Sequence, residues 1–114
     1  MGLCDWTSGV FAIGWGAAWQ NTGDDVHARR VQDWVDSCDT ATFTITHVND
    51  GLLGYAALVA YQFDPQPEYL AFAHRTADYL LNTAQRTSNG ALTHYDGQVW
   101  ADTVLGAVPF FVVA

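Results

Sequence analysis

Asp50-Gly51-Leu52-Leu53-Gly54-Tyr55-Ala56-Ala57-Leu58-Val59-Ala60-Tyr61-Gln62-Phe63 is apolar on nearly every side of a helical wheel, and its reading decides the fold. A helix without a polar face has to be covered all round by other elements. Downstream, Asp64-Pro65-Gln66-Pro67 breaks the run, and Pro67 suits the first position of a following helix, where its missing N–H costs nothing. Glu68 to Gln85 is then amphipathic, with Leu70, Ala73, Ala77, Leu80 and Leu81 spaced for one face. Upstream the same order occurs. Ser8 to Gln20 is apolar almost all round, Asn21-Thr22-Gly23 is a turn, and Asp24 to Cys38 carries Val26, Val31, Trp34, Val35 and Cys38 on one face. Thr87 to Gly90 reads as a loop, Ala91 to Trp100 as irregular chain, and a last apolar helix begins near Asp102. The one extended-looking stretch, Thr40 to Thr46, is too short to build a sheet alone.

The chain compared with itself shows a repeat. At an offset of 45 residues Asp5 meets Asp50, Gly9 meets Gly54, Arg30 meets Arg75, Asp33 meets Asp78 and Trp34 meets Tyr79. At an offset of 52, Asp50 meets Asp102 and Gly54 meets Gly106. Three apolar helices thus open with Asp-x-x-x-Gly. One helical hairpin cannot cover its own apolar face, so such repeats stack side by side. The expectation is an all-α chain, residues 1–114 forming one partial domain of about two and a half hairpins, apolar helices inside and amphipathic ones outside. Arg30 and Arg75, at equivalent places in the outer helices, are expected to pair with acids of a neighbouring helix.

Composition narrows the partners. The chain has 114 residues, half of them hydrophobic and 14% aromatic, which excludes disorder. It contains no Lys, four Arg, eleven Asp and the single Glu68, for a net charge of −8. Phosphates need cations to meet them, so neither nucleic acid nor an anionic membrane surface is an expected partner. Crowded carboxylates without Lys also predict a salt-loving host, because molar salt screens their repulsion. Cys4 and Cys38 are too few for a disulfide framework and are expected as free thiols in a reducing, cytoplasmic compartment. The four His show no metal-binding spacing, so no metal and no cofactor is expected. Met1 to Asp5 lacks the basic opening of a leader. The run from Val104 to Ala114 is shorter than the ~18 residues of a spanning helix and contains Pro109. It reads as a helix cut short, exposing Val104, Leu105, Val108, Phe110, Phe111 and Val112. Oligomeric state leaves no trace in the composition.

Asp5, Asp50 and Asp102, each at the start of an inner helix, fall at one end of the stack. The links after the outer helices end there too and bring Trp6, His47, His94, Tyr95 and Trp100 beside them. Carboxylates flanked by aromatic rings suit a sugar: rings take its apolar face, acids its hydroxyls or the reacting bond. Asp is also among the best N-caps, so each of the three has a purely structural reading, and two could be catalytic partners with the third a cap. His27 and His74 fall on outer helices as surface residues, and Asn49 reads as a turn residue.

Gly90-Ala91-Leu92-Thr93-His94 followed by Gln98-Val99-Trp100-Ala101-Asp102-Thr103 resembles the unsaturated glucuronyl and rhamnogalacturonyl hydrolases, glycoside hydrolase families 88 and 105. Trp6-Thr7-Ser8-Gly9-Val10 resembles the opening of an early inner helix in these families. Thr22-Gly23-Asp24 and Asp64 to Leu70 resemble their hairpin turns. The resemblance runs from about Asp5 to Phe111. It implies part of an (α/α)6 barrel, the six-hairpin glycosidase fold, and an unsaturated uronyl oligosaccharide as substrate. It further implies Asp102 as general acid/base, Asp50 as the second active-site aspartate, and Trp6, His94, Trp100 and His47 against the sugar. The chain by itself is expected to be inactive, and another six-hairpin inverting glycosidase and an inactive helical-repeat fragment are the alternatives.

Overall fold

The computed structural model describes residues 3–113, and every regular element among them is helical. The elements are α1 (Trp6–Thr22), α2 (Asp25–Ser37), α3 (Gly51–Phe63), α4 (Pro67–Asp78) and α5 (Asp102–Val113). A 3-10 turn over Val48–Asp50 leads into α3, and a single π-helical turn over Tyr79–Thr83 follows α4. Isolated bridges between Arg86 and Leu92 and between Tyr95 and Gln98 pinch the link before α5. Met1, Gly2 and Ala114, which bound the leader reading and the terminal apolar run, lie outside the described residues.

Local chemistry sets the helix ends. The Asp5 carboxylate accepts from the N–H groups of Thr7 at 3.1 Å and Ser8 at 3.3 Å, two donors the first turn of α1 leaves free. The helix stops at Gly23, left-handed at φ 70°, whose N–H returns to the Trp19 carbonyl. Asp24 caps α2 through Val26, and Pro67 opens α4.

The expected two rows are present. α3 packs between α1 and α5 in the inner row, and α2 and α4 lie behind it. Gly51 to Ala57, Val59 and Ala60 of α3 are all buried, which is why that segment carries no polar face. The repeated glycines let the helices touch. A Cβ on Gly9 would stand 2.6 Å from Leu52 Cβ, and one on Gly54 would stand 2.5 Å from Thr76. At the α3–α5 contact, a Cβ on Gly51 would stand 2.1 Å from the Gly106 carbonyl oxygen. Behind α3 the core is closed by Val31, Val35, Tyr69, Phe72 and Leu80. The Tyr69 hydroxyl donates to Asp36 at 2.6 Å and accepts from Gln32 at 3.1 Å. Burial first, then the Asp36 bond, pushes its pKa up to about 12.

Several expectations change. Cys4 and Cys38 are not free thiols but a disulfide, Cα atoms 5.6 Å apart, joining the segment before α1 to the end of α2. Disulfides persist in oxidising surroundings, so the argument for a reducing, cytoplasmic compartment falls away. Phe110 is not exposed: it is 1% accessible and turned into the core, while Val104, Leu105, Val108, Phe111 and Val112 are open as expected. α1 is less enclosed than its composition implies, with Phe11 59% and Val10 41% exposed. Arg75 donates to the carbonyls of Thr40 and Phe43 rather than to a carboxylate, pinning the link after α2, and Arg30 lies over the Trp15 ring. The helix expected through Gln85 leaves α geometry after Asp78, and the chain around Thr40 turns before it extends. Among the described residues no helix is long and apolar enough to cross a membrane.

Candidate active site

A cleft of about 640 Å³ opens where the inner helices begin. Asp5, Asp50 and Asp102 line it, and so do Trp6, His47, His94 and Trp100. All six residues singled out from the sequence, Asp102, Asp50, Trp6, His94, Trp100 and His47, therefore meet in one place. Asn49, Leu105 and Cys4 complete the wall together with Tyr95. Asn49 was legible only as a turn residue. Its place directly before Asp50 was the available signal.

The three repeat aspartates are differently engaged. Asp5 spends its carboxylate on capping α1. Asp50 sits in the 3-10 turn, where Oδ2 accepts from the N–H of Thr46 at 2.8 Å and of His47 at 3.1 Å. Those two bonds fix the carboxylate but leave Oδ1 without a role in the turn. Asp102 is exposed in the first turn of α5.

The rings come from the link before α5. His94 N–H donates to the Gln98 carbonyl at 2.7 Å, Gln98 N–H returns to Tyr95 at 2.9 Å, and Gly97 supplies the left-handed residue of this turn at φ 70°. The turn folds Trp100 flat onto His94 and sets Tyr95 edge-on to both. Trp100 Nε1–H donates to Gln98 Oε1 at 2.9 Å, holding the indole. Behind, Thr103 Oγ1 lies 3.4 Å from His94 Nδ1. Burial lowers the His94 pKa, against a smaller opposing pull from Asp102. His94 therefore faces the cleft as a neutral imidazole. Trp6, which also lines the cleft, is 56% exposed and offers an aromatic face. The disulfide and a bond from Trp34 Nε1–H to the Leu3 carbonyl at 2.8 Å hold the segment that delivers it.

The chemistry on offer is two carboxylates in unlike settings, one held by backbone donors and one open, beside a neutral histidine and exposed indoles. Among the described residues no three His, Cys, Asp or Glu come close enough to hold a metal ion.

Comparison with known proteins agrees in kind. The sequence model described as Glycosyl Hydrolase Family 88 matches residues 3–114. Unsaturated rhamnogalacturonyl hydrolase YesR of Bacillus subtilis (strain 168) is 27% identical over 116 aligned residues, covering 95% of this chain. The chain spans about a third (34%) of that relative's length. No solved structure matches it. With its helical-hairpin rows and a family match over nearly every residue, the chain belongs to glycosyl hydrolase family 88.

Proposed function

We propose that the cleft is part of the active site of an unsaturated-uronyl hydrolase, and that the chain contributes about two and a half hairpins to a closed six-hairpin ring. The observation that carries the reading is the meeting of Asp102 and Asp50 with Trp6, His94 and Trp100 in one cleft of a family 88 chain. The substrate is an oligosaccharide ending in a 4,5-unsaturated uronic acid, a reading supported by the relative's name, unsaturated rhamnogalacturonyl hydrolase.

Asp102, open to the cleft, donates its carboxyl proton to C4, and the C4–C5 double bond becomes a single bond. Positive charge develops at C5 and the ring oxygen. Asp50, fixed by Thr46 and His47, faces that charge as a preset anion. Water attacks C5 and gives its proton to the Asp102 carboxylate, restoring the acid. The hemiketal at C5 opens, and the hemiacetal left at C1 releases the rest of the sugar. Trp6 and Trp100 stack on the apolar face of the ring, and neutral His94 can exchange a hydrogen bond with a hydroxyl without adding charge.

The test is the fate of the double bond. In the full-length context, incubation with an unsaturated uronyl disaccharide should erase its ultraviolet absorbance in step with release of the second sugar. Release with the absorbance retained would identify an inverting glycosidase of ordinary type. Neither change would identify a chain without this activity.

A further inference from the structure

We propose that His47 is a positioning residue: a neutral imidazole clip, both nitrogens used within the chain, that fixes the loop carrying His94 and Trp100 over the start of α3. Its effect on turnover rests on the active-site reading above; the clip itself does not.

Two contacts on opposite sides of the ring define it. His47 Nε2 lies 2.7 Å from the carbonyl oxygen of His94. A carbonyl only accepts, so Nε2 carries the hydrogen. His47 Nδ1 lies 3.0 Å from the backbone N of Asn49. A backbone N–H only donates, so Nδ1 is bare. Neither partner can exchange roles, and together they select one tautomer. The ring has no proton to give to a substrate and no lone pair free to take one. An imidazolium would set N–H against N–H at the Asn49 contact.

The place of the clip gives it consequence. His47 and His94 are 47 residues apart in sequence. Among the described residues, the His47 bond is the one side-chain hydrogen bond between the link before α3 and the loop before α5; the other bonds of that loop run within itself or to the start of α5. The same ring packs edge-to-face on His94 with centroids 4.5 Å apart, and His94 is the ring on which Trp100 lies. The backbone N–H of His47 meanwhile holds Asp50 Oδ2. One residue thus sets the aromatic wall relative to the second carboxylate. With His94 and Tyr95 it lines both the main cleft and a smaller one of about 470 Å³, whose wall also includes Thr46, Tyr79, Thr83 and Thr93.

The chain itself, labelled with 15N, tests this by the nitrogen shifts of its histidines. His47 should show a protonated Nε2 and an unprotonated Nδ1 at neutral pH. The other tautomer, or a rapidly exchanging mixture, would overturn the proposal. Amide exchange gives a second reading. His47→Gln keeps a donor near the Nε2 position, and His47→Ala removes it. The His94 amide, itself held by the Gln98 carbonyl, reports opening of the turn that His47 tethers through the His94 carbonyl: it should exchange up to about tenfold faster in the alanine variant, the scale of one net tethering bond, and close to the parent rate in the glutamine variant. Equal exchange in all three would overturn the clip. If the alanine variant does not fold, the tautomer and the glutamine variant still decide. In the full-length context, with an unsaturated uronyl disaccharide, His47→Ala should lose up to about 10²-fold in kcat/KM through misplacement of the wall. His47→Gln should recover most of it. Equal loss in both variants would mean that the ring touches substrate and would overturn the positioning role. Absence of turnover in the parent would count against the proposed function, with the tautomer and exchange measurements still deciding the clip.

Discussion

The indole of Trp100 lies on the imidazole of His94 with ring centroids 4.5 Å apart and planes within 10°. An aromatic face attracts a cation, so the stack by itself would favour a charged histidine. Burial acts the other way and prevails, lowering the His94 pKa. The sign for stability follows from proton counts. As pH falls through about 6.5, the ordinary value, the unfolded chain takes up a proton that folded His94 refuses. The unfolded state then binds more protons, so stability declines with acidity below that value and His94 contributes no pH dependence above it. Urea titrations across this range should show the decline, and His94→Gln should flatten it. An unchanged slope in that variant would place the titration elsewhere.

In the full-length context, Asp102→Asn should cut kcat on an unsaturated uronyl disaccharide by about 10²–10⁴-fold while leaving binding nearly intact, because it removes the transferable proton and keeps the shape. Asp5→Asn should stay close to the parent, since Asn also caps a helix. Steady-state kinetics beside calorimetric binding separates the two effects. A near-normal kcat for Asp102→Asn would move the acid to another residue.

The contact between α3 and α5 has no room for a methyl group. Gly51→Ala would place Cβ 2.1 Å from the Gly106 carbonyl oxygen, backbone that cannot swing aside, so a loss of about 1–3 kcal/mol or more is expected. Gly14→Ala meets nothing within 4 Å in the middle of α1 and should gain about 0.5–1 kcal/mol. Denaturant melts of the pair check both signs.

Cys4 and Cys38 are separated by 34 residues. Opening that loop frees the unfolded chain by about 4 kcal/mol on the chain-entropy argument. That is a large share of the roughly 5–15 kcal/mol that holds a domain together. Reductant, or Cys38→Ser, should lower Tm markedly, and a mass shift on alkylation should show thiols only after reduction. Two alkylatable thiols in the untreated chain would contradict the cross-link.

The excess of carboxylates makes salt a variable of stability. Melts between about 0.1 and 3 M KCl should rise in Tm as the Debye length shrinks toward about 3 Å. A flat or falling series would contradict the salt-loving reading.

Helix periodicity, turn residues and the recurring Asp-x-x-x-Gly were enough to foresee two rows of helices and to bring Asp50, Asp102, Trp6, His47, His94 and Trp100 to one end of the stack. Those features are local or periodic, and a helix places its first residue and its apolar stripe wherever it packs. What each residue does there depended on neighbours distant along the chain. The three aspartates look alike in sequence, yet Asp5 caps α1, Asp50 is held by the amides of its own turn, and Asp102 is left open. The pairing of Cys4 with Cys38 is invisible in a spacing of 34 and follows from α1 and α2 folding back on each other. Phe110 turns inward because α5 rotates its Gly106 side onto α3, a choice that a helix apolar all round does not encode. The fixed tautomer of His47 arises from a carbonyl 47 residues away, so only the tertiary structure could decide it.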